Sequence, residues 1–560
     1  MAATDSAEGV RVRWLVAGAF GPSPTGERFG VSPASFPAVL QARGLHAEVE
    51  IDDRLGAGPR RTFALSFPTL KSFHTAEVIA VDPLLRDLLA LGASLGQGDA
   101  TKRPEAAAAV ERVVALVGEG RLSAALRAKL SVAAPATPAG APPAAPGAPA
   151  AAGGGASLLG DLLDQPIVPA APAPAPTPAV AVSSFIKAMR PAGPAAVAPG
   201  LGRAGRDLLE AEVYATAADI LRSPGVAALE GAWRSLKLLV DACPDAAGMH
   251  LEVIDVAPDK AEAALREALP TVPEEEGPDA LFVLDPVEGQ EALLAFANLG
   301  ADADAPVVVS VTESLFGQSD VHAVSAKIEA EDGSMPAWWP ELRADESTRW
   351  LSVAFNRPVV RVEGNGAARR VVFGSAAAAV GAMLAESYHR TGAFARILGA
   401  TGALKGAGSY ELPSGRDQGM LVPTEAFLSI RAQSRLHELG VVGLGSARNS
   451  DSIVLSAAGT VRGGTDVVPL AAQVLTGRIV RFARWVLAQL PPGSNESEVK
   501  LLFEQASEVF LFPTARESAR LEAQVVAAEG GARQVVLQAS ARADLAGIPF
   551  HLAFALPLRG

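Results

Sequence analysis

Cysteine is nearly absent from this 560-residue chain, where Cys243 stands alone. One thiol makes no internal disulfide and no cysteine zinc site, and such usage fits a reducing compartment. Histidine is scarce too: the seven residues are scattered, and none forms HExxH or a similar ligand pair. Aromatic residues make up 5%, so the 49% apolar share is swollen by alanine, yet it still provides for a sizeable core. No uninterrupted apolar run approaches the roughly 18–20 residues that span a bilayer, so no membrane insertion is expected. The opening "MAATDSAEGVRVRW" lacks a basic stretch followed by an apolar one, so no signal peptide is read and a cytoplasmic location is expected. Basic residues are outnumbered 48 to 61, for a net charge of −13. That balance argues against bulk attraction to nucleic acid or anionic lipid.

Catalytic signatures are missing as well. "GATGALKGAGS" (Gly399–Ser409) has glycines and Lys405 but the wrong spacing for a phosphate cradle, and reads as a turn-rich loop. "GLGRAG" (Gly200–Gly205) fits GxGxxG by letter but follows a proline-rich stretch, not a strand. "GASLG" (Gly92–Gly96) fits GxSxG by letter but follows a helix, whereas a nucleophile elbow follows a strand. His437 beside Glu438 reads as a solvated helix pair, and Asp285 before Pro286 as a turn former. Glu274–Glu276 reads as a solvated loop, and Trp338–Trp339 as core or interface packing. No catalytic, cofactor-binding or metal-ligating residue and no cofactor is assigned.

What is present is organisation. From about Ala133 to Val182 the chain is rich in Ala, Pro and Gly, and its charges there are Asp161 and Asp164. Proline blocks backbone pairing and glycine raises the cost of ordering, so this reads as a tether. Within it, Leu158, Leu159, Leu162 and Leu163 follow the i, i+1, i+4, i+5 spacing of one apolar helical stripe, with Ser157 as N-cap and Pro166 as stop. Two turns are too short to hold alone, so the piece folds on a partner or docks on the protein's own surface.

Before the tether, Val10, Val12, Trp14 and Val16 alternate as a half-buried strand would. "HAEVEI" (His46–Ile51) and "RTFALSF" (Arg61–Phe67) read as strands, and Pro104–Leu130 as one helix. After it, helices over Arg206–Leu221 and Val226–Val240 precede the apolar strands "HLEVIDV", "ALFVLD" and "APVVVSVT". Those runs between amphipathic helices predict a largely buried, mixed or parallel sheet. The C-terminal part predicts an antiparallel meander ending at Phe550–Leu558, where His551, Ala553 and Ala555 alternate with apolar positions. The fold class is therefore α/β (α+β). A small N-terminal α/β domain (1–132) and an Ala/Pro/Gly linker (133–205, short helix at 157–165) precede a large α/β region (206–560) with a strand-rich C-terminal part.

Several stretches in order carry a resemblance. "ALEGAWRSLKLLVD" (Ala228–Asp241) resembles the "lE..WRgL..Lv" helix of the large subunit of the type VI secretion contractile sheath. "APVVVSVTESLFG", "WWPELRADESTRWLSVAFNRPVVR", "VVFGSAAAAVGAMLAESYHRTGAFARILG" and "PTEAFLSIRAQSRLHELGVVGL" are similar to its successive motifs over about Asp207–Leu558. The resemblance puts Trp233, Leu236, Trp350, Gly399 and Glu425 at family motif positions. "VRVRWLVAGAFG" and "FALSFPTLKSFHTAEVIAVDPLLRDLLAL" look, more loosely, like the small sheath subunit. Here the two subunits are fused in one chain. The chain departs from the pattern at "NRPVVRVEG", which lacks the usual "LPYg" ending, and at "AGAFG", which lacks the family's acidic residue.

The resemblance implies a structural subunit, not an enzyme. Its partners would be further copies of itself in a helical polymer, an inner tube protein, a baseplate and an AAA+ unfoldase that recycles the contracted sheath. It implies inter-protomer strand pairing, for which Val10, Val12, Trp14 and Val16 at one end and His551, Ala553 and Ala555 at the other are the candidates. It also makes Leu158, Leu159, Leu162 and Leu163 the candidate unfoldase-binding helix. A cytoplasmic α/β scaffold or adaptor, or an unrecognised enzyme, is the alternative reading.

Overall fold

The computed structural model describes residues 11–97, 103–130, 201–244, 248–271, 277–330, 335–414, 417–464, 468–491, 493–512, 518–527 and 533–558. Val10, the leucine cluster at 158–163 and the acidic run at 274–276 lie outside the described residues.

Eighteen strands are described, numbered in chain order. The first four are β1 (Val12–Gly18), β2 (Arg28–Val31), β3 (His46–Asp52) and β4 (Arg60–Ser66). Then come β5 (Met249–Asp255), β6 (Ala280–Pro286), β7 (Val307–Ser310), β8 (Leu351–Phe355), β9 (Val359–Glu363) and β10 (Arg370–Phe373). Short β11 (Leu404–Lys405), β12 (Tyr410–Glu411) and β13 (Leu421–Val422) precede β14 (Val441–Ser446) and β15 (Ser452–Leu455). The last three are β16 (Ala519–Ala527), β17 (Arg533–Ala541) and β18 (Phe550–Pro557).

Nine of these form one sheet in the order β11-β15-β14-β8-β7-β6-β1-β5-β2. From β14 to β5 all neighbours are parallel, and the flanking strands β15, β11 and β2 run antiparallel. The chain passes from β1 to β5 on one side, crosses to β6 on the other, and continues outward to β14. This reversal at β1 makes a doubly wound sheet with its switch point at the strands' carboxyl ends. One face packs Leu15, Ile254, Leu281, Val307 and Val353 against Leu265, Leu293, Phe296 and Trp339 of the covering helices. The other face lies under the helices Pro224–Ala242 and Ala376–Thr391. The second of these is buried from Ala376 through Ala385, which is why its sequence is small and apolar all round. Gly381 sits at the crossing, where a Cβ would lie 2.7 Å from Leu239 and 2.9 Å from the Phe282 ring.

The C-terminal strands β16, β17 and β18 form the expected antiparallel meander. Its inner face, including Leu521, Val535, Leu537 and Phe550, packs in one core with Ile479, Phe482 and Phe503 of the helices Leu470–Gln489 and Glu496–Ala506. The latter helix opens with a reciprocal capping box between Asn495 and Glu498.

Two features differ from the sequence reading. Among the described residues the chain divides into one compact unit within 1–53, 58–86 and 213–560 and another within 54–57 and 87–212, whereas the sequence reading places boundaries at 132 and 206. The reason is β1, which is hydrogen-bonded to β5 on one side and β6 on the other and so belongs to the large sheet. The helix expected over Pro104–Leu130 is two helices, Arg103–Val117 and Arg121–Leu130. Gly118 takes φ +84° between them, and a Cβ on Gly120 would lie 2.2 Å from the Gly56 backbone. In this second unit Leu91, Leu95, Val113, Leu126, Leu130 and Leu209 are buried among the helices.

Candidate assembly surfaces

The opening strand was the first candidate for pairing with a neighbour. Val12, Trp14 and Val16 are at most 2% exposed, and Trp14 stands in register with Leu251 and Ala280. Pairing β1 with another protomer would require displacing β5 or β6, so the expected free, half-buried strand is corrected to a buried central one. The alternation that pointed to a wet face came from Arg11 and Arg13 at the strand's amino end. There Asp279, fully buried, accepts the Arg13 N–H at 2.9 Å and the Arg481 guanidinium at 2.7 Å. Arg481 also donates to the Arg11 carbonyl at 2.9 Å. Burial pulls the Arg481 guanidinium below its ordinary range, and nearby Arg478 adds to this while Asp279 opposes it.

The strand's exit is held as firmly. The carboxylate of Asp255 accepts the Phe20 N–H and that of Asp285 accepts the Ala19 N–H, each at 2.9 Å. Trp233, fully buried, donates its indole N–H to the Phe20 carbonyl at 2.9 Å, and its ring meets Phe20 and Phe36 edge-on. Further along, Glu363 accepts the Thr75 N–H and hydroxyl at 2.6 Å. Arg370 bridges Glu230, Glu363 and the Phe73 carbonyl. Thus the carboxylates of Asp255, Asp279 and Asp285 tie β1 and its exit to the large sheet, and that of Glu363 ties Thr75 to β9, which pairs with β10 in a separate two-stranded sheet. The sequence signal for three of them is a lone acid at the end of an apolar strand run.

A cavity of about 410 Å³ opens at the carboxyl ends of β6 and β7, where a doubly wound fold can hold a ligand. Asp285, Ser235, Ser310, Ser375, Arg357 and Arg370 line it. The Ser310 and Ser375 hydroxyls bond each other at 2.8 Å, and Ser310 also accepts the Ala377 N–H. Burial lifts the Asp285 carboxyl above the ordinary carboxylate range. Among the described residues no histidine or cysteine lines this cavity. Among the described residues no cluster of three or more potential metal ligands occurs, and no helix is long and apolar enough to cross a membrane.

The closing strand offers an open edge. β18 pairs with β17 through Phe550↔Ala541 to Pro557↔Gln534, and among the described residues no strand pairs with its other edge. His551, Ala553 and Ala555 are exposed on its outer face. On the inner face Leu552, Phe554 and Leu556 are only half-buried, although they point toward the core. The remaining motif residues are dispersed. Leu236 is fully buried, and Trp350 is half-buried where Gly300 permits its Cβ to approach. Gly399 is exposed at φ +60°, and Glu425 takes a two-pronged bond from Arg357.

Residues 286–462 match the family model VipB (EvpB/VC_A0108, tail sheath N-terminal domain). That span runs from the end of β6 past β15. No curated protein matches the chain. Similar solved structures include the anti-feeding prophage helical sheath in its contracted state, 13% identical over 58% of this chain and 78% of that one, at a TM-score of 0.32. The PVC sheath complex of an extracellular contractile injection system, also contracted, is 11% identical over 59% of this chain and 77% of that one, at 0.31. The anti-feeding prophage baseplate, 6-fold symmetrised, matches at 12% identity over 58% and 76%, at 0.29. The matched span supplies β7, β8, β14, β15 and β11, one flank of the doubly wound sheet, and over those residues the chain is similar to a tail sheath N-terminal domain.

Proposed function

We propose that this chain polymerises helically around an inner tube and contracts to propel it, as a fused protomer that combines small- and large-subunit regions. The observation that carries the reading is β18, whose outer edge is open and whose inner apolar side chains are half-covered. A strand added there by a second copy supplies backbone hydrogen bonds and covers Leu552, Phe554 and Leu556. Such pairing depends little on side-chain identity and keeps neighbours joined while their packing changes. Contraction then draws on the packing difference between two polymer states. The sheath would assemble in the cytoplasm on a baseplate.

Proline scanning of β18 tests this. Proline removes an N–H, so alternate positions between His551 and Ala555 interrupt only an incoming strand. At those positions, electron microscopy should find folded protomers and no helical cylinders. Cylinders formed by every folded proline variant would overturn the reading.

The leucine segment at 158–163 is the proposed handle for an AAA+ unfoldase. Leu162→Asp combined with Leu163→Asp should spare assembly and impair disassembly of contracted sheath. Unchanged unfoldase binding by that double variant would reject the assignment.

A further inference from the structure

The helical unit of residues 54–57 and 87–212 carries an apolar groove of about 460 Å³ between the helices Pro83–Gln97 and Arg103–Val117. Ala90, Leu91, Ser94, Ala115 and Leu116 form its walls, and Arg112 and Asp87 flank it. Two alanines leave the space, and Leu116 remains 37% exposed at the rim. We propose that Ser157–Gln165 of the same chain docks in this groove, its leucines inward.

The tether's ends support that occupant. The described chain stops at Leu130 and resumes at Leu201, and both ends belong to this unit. About 26 residues separate Leu130 from Ser157, and a flexible chain of that length spans roughly 25–30 Å. The local concentration of the segment at the groove is then of order mM, above that of any partner in dilute solution. The segment needs an apolar surface to hold its two turns, and the groove is an apolar surface without a tenant among the described residues. Asp161 and Asp164 are the acidic residues of the segment, and Arg112 stands at the groove to meet one of them. Docking does not depend on the unfoldase reading.

Disulfide trapping in the full chain tests the docking, because Cys243 is buried and does not interfere. Gly160→Cys paired with Ser94→Cys should oxidise to an intramolecular cross-link at least tenfold faster than Ala145→Cys paired with Ser94→Cys. Adding Leu116→Asp, a rim change expected to leave the unfolding midpoint unmoved, should bring the first rate down to the second. Equal rates for the two pairs would overturn the proposal. So would a cross-link between two chains, or faster trapping by Ile186→Cys than by Gly160→Cys. Unfoldase binding, measured separately on the Leu162→Asp, Leu163→Asp chain, reports on the handle alone.

Discussion

Three residues set stability through where they sit. Asp285 is lifted by burial, with Asp255 adding to the lift and the Ala19 N–H opposing it. The folded state holds that proton more tightly than the unfolded chain, so stability falls as pH rises from the ordinary value of 3.8 through the folded one. Asp285→Asn keeps an oxygen for Ala19 and removes the decline. Urea midpoints across pH 4–7 should fall less steeply for the variant, and an unchanged slope would count against the account. Glu363 has the opposite sign. Burial would raise its carboxyl, but the Thr75 hydroxyl and amide and the charges of Arg370 and Arg361 hold it below the usual 4.5. Its contribution is present above that value and lost as pH drops through the folded one. Glu363→Gln should therefore destabilise at pH 7, by about 1–3 kcal/mol, and converge with the parent in acid. Cys243, pushed up to about 12 by burial, should resist thiol reagents at pH 8 until the chain unfolds. Labelling at the rate of a free thiol under native conditions would contradict its placement.

At the scale of elements, the parallel core was readable because buried strands are written as unbroken apolar runs. "ALFVLD" and "APVVVSVT" fall on β6 and β7, and the two long helices before them were placed within a few residues. The meander was readable from its alternation, which the half-wet face of β16–β18 keeps. β1 was misread for a physical reason. Arg11 is exposed and Arg13 half-buried, so the amino end does meet solvent, but the strand beyond it is enclosed by β5 and β6 from more than 230 residues away. Sequence periodicity reports the side chain, not the remote strands that pair with its backbone. The same holds for Trp233, legible as a family position but not as the donor that holds Phe20. Trp14→Ala should accordingly cost about 3–5 kcal/mol in chemical denaturation, the loss of a core anchor. A polymerisation defect with unchanged protomer stability would restore the edge-strand reading.

For the whole molecule, the two halves joined by the Ala/Pro tract are not two independent folds. Residues 206–560 without β1 would leave β5 and β6 with unpaired facing edges. Expressed separately, residues 1–132 and 201–560 should each aggregate or be degraded, and co-expressed they should purify as a complex. Recovery of either piece alone as a stable, cooperatively folding protein would refute this.

The central position of β1 also sets a timetable. The ribosome makes Val12 and Trp14 well before their respective sheet partners Met249 and Ala280, which follow more than 230 residues later. At about 5–20 residues per second, the first strand emerges and waits on the order of 10–50 s before either neighbour exists. Through that interval "WLVAGAF" is a bare apolar segment on a nascent chain, a natural client for a ribosome-associated chaperone.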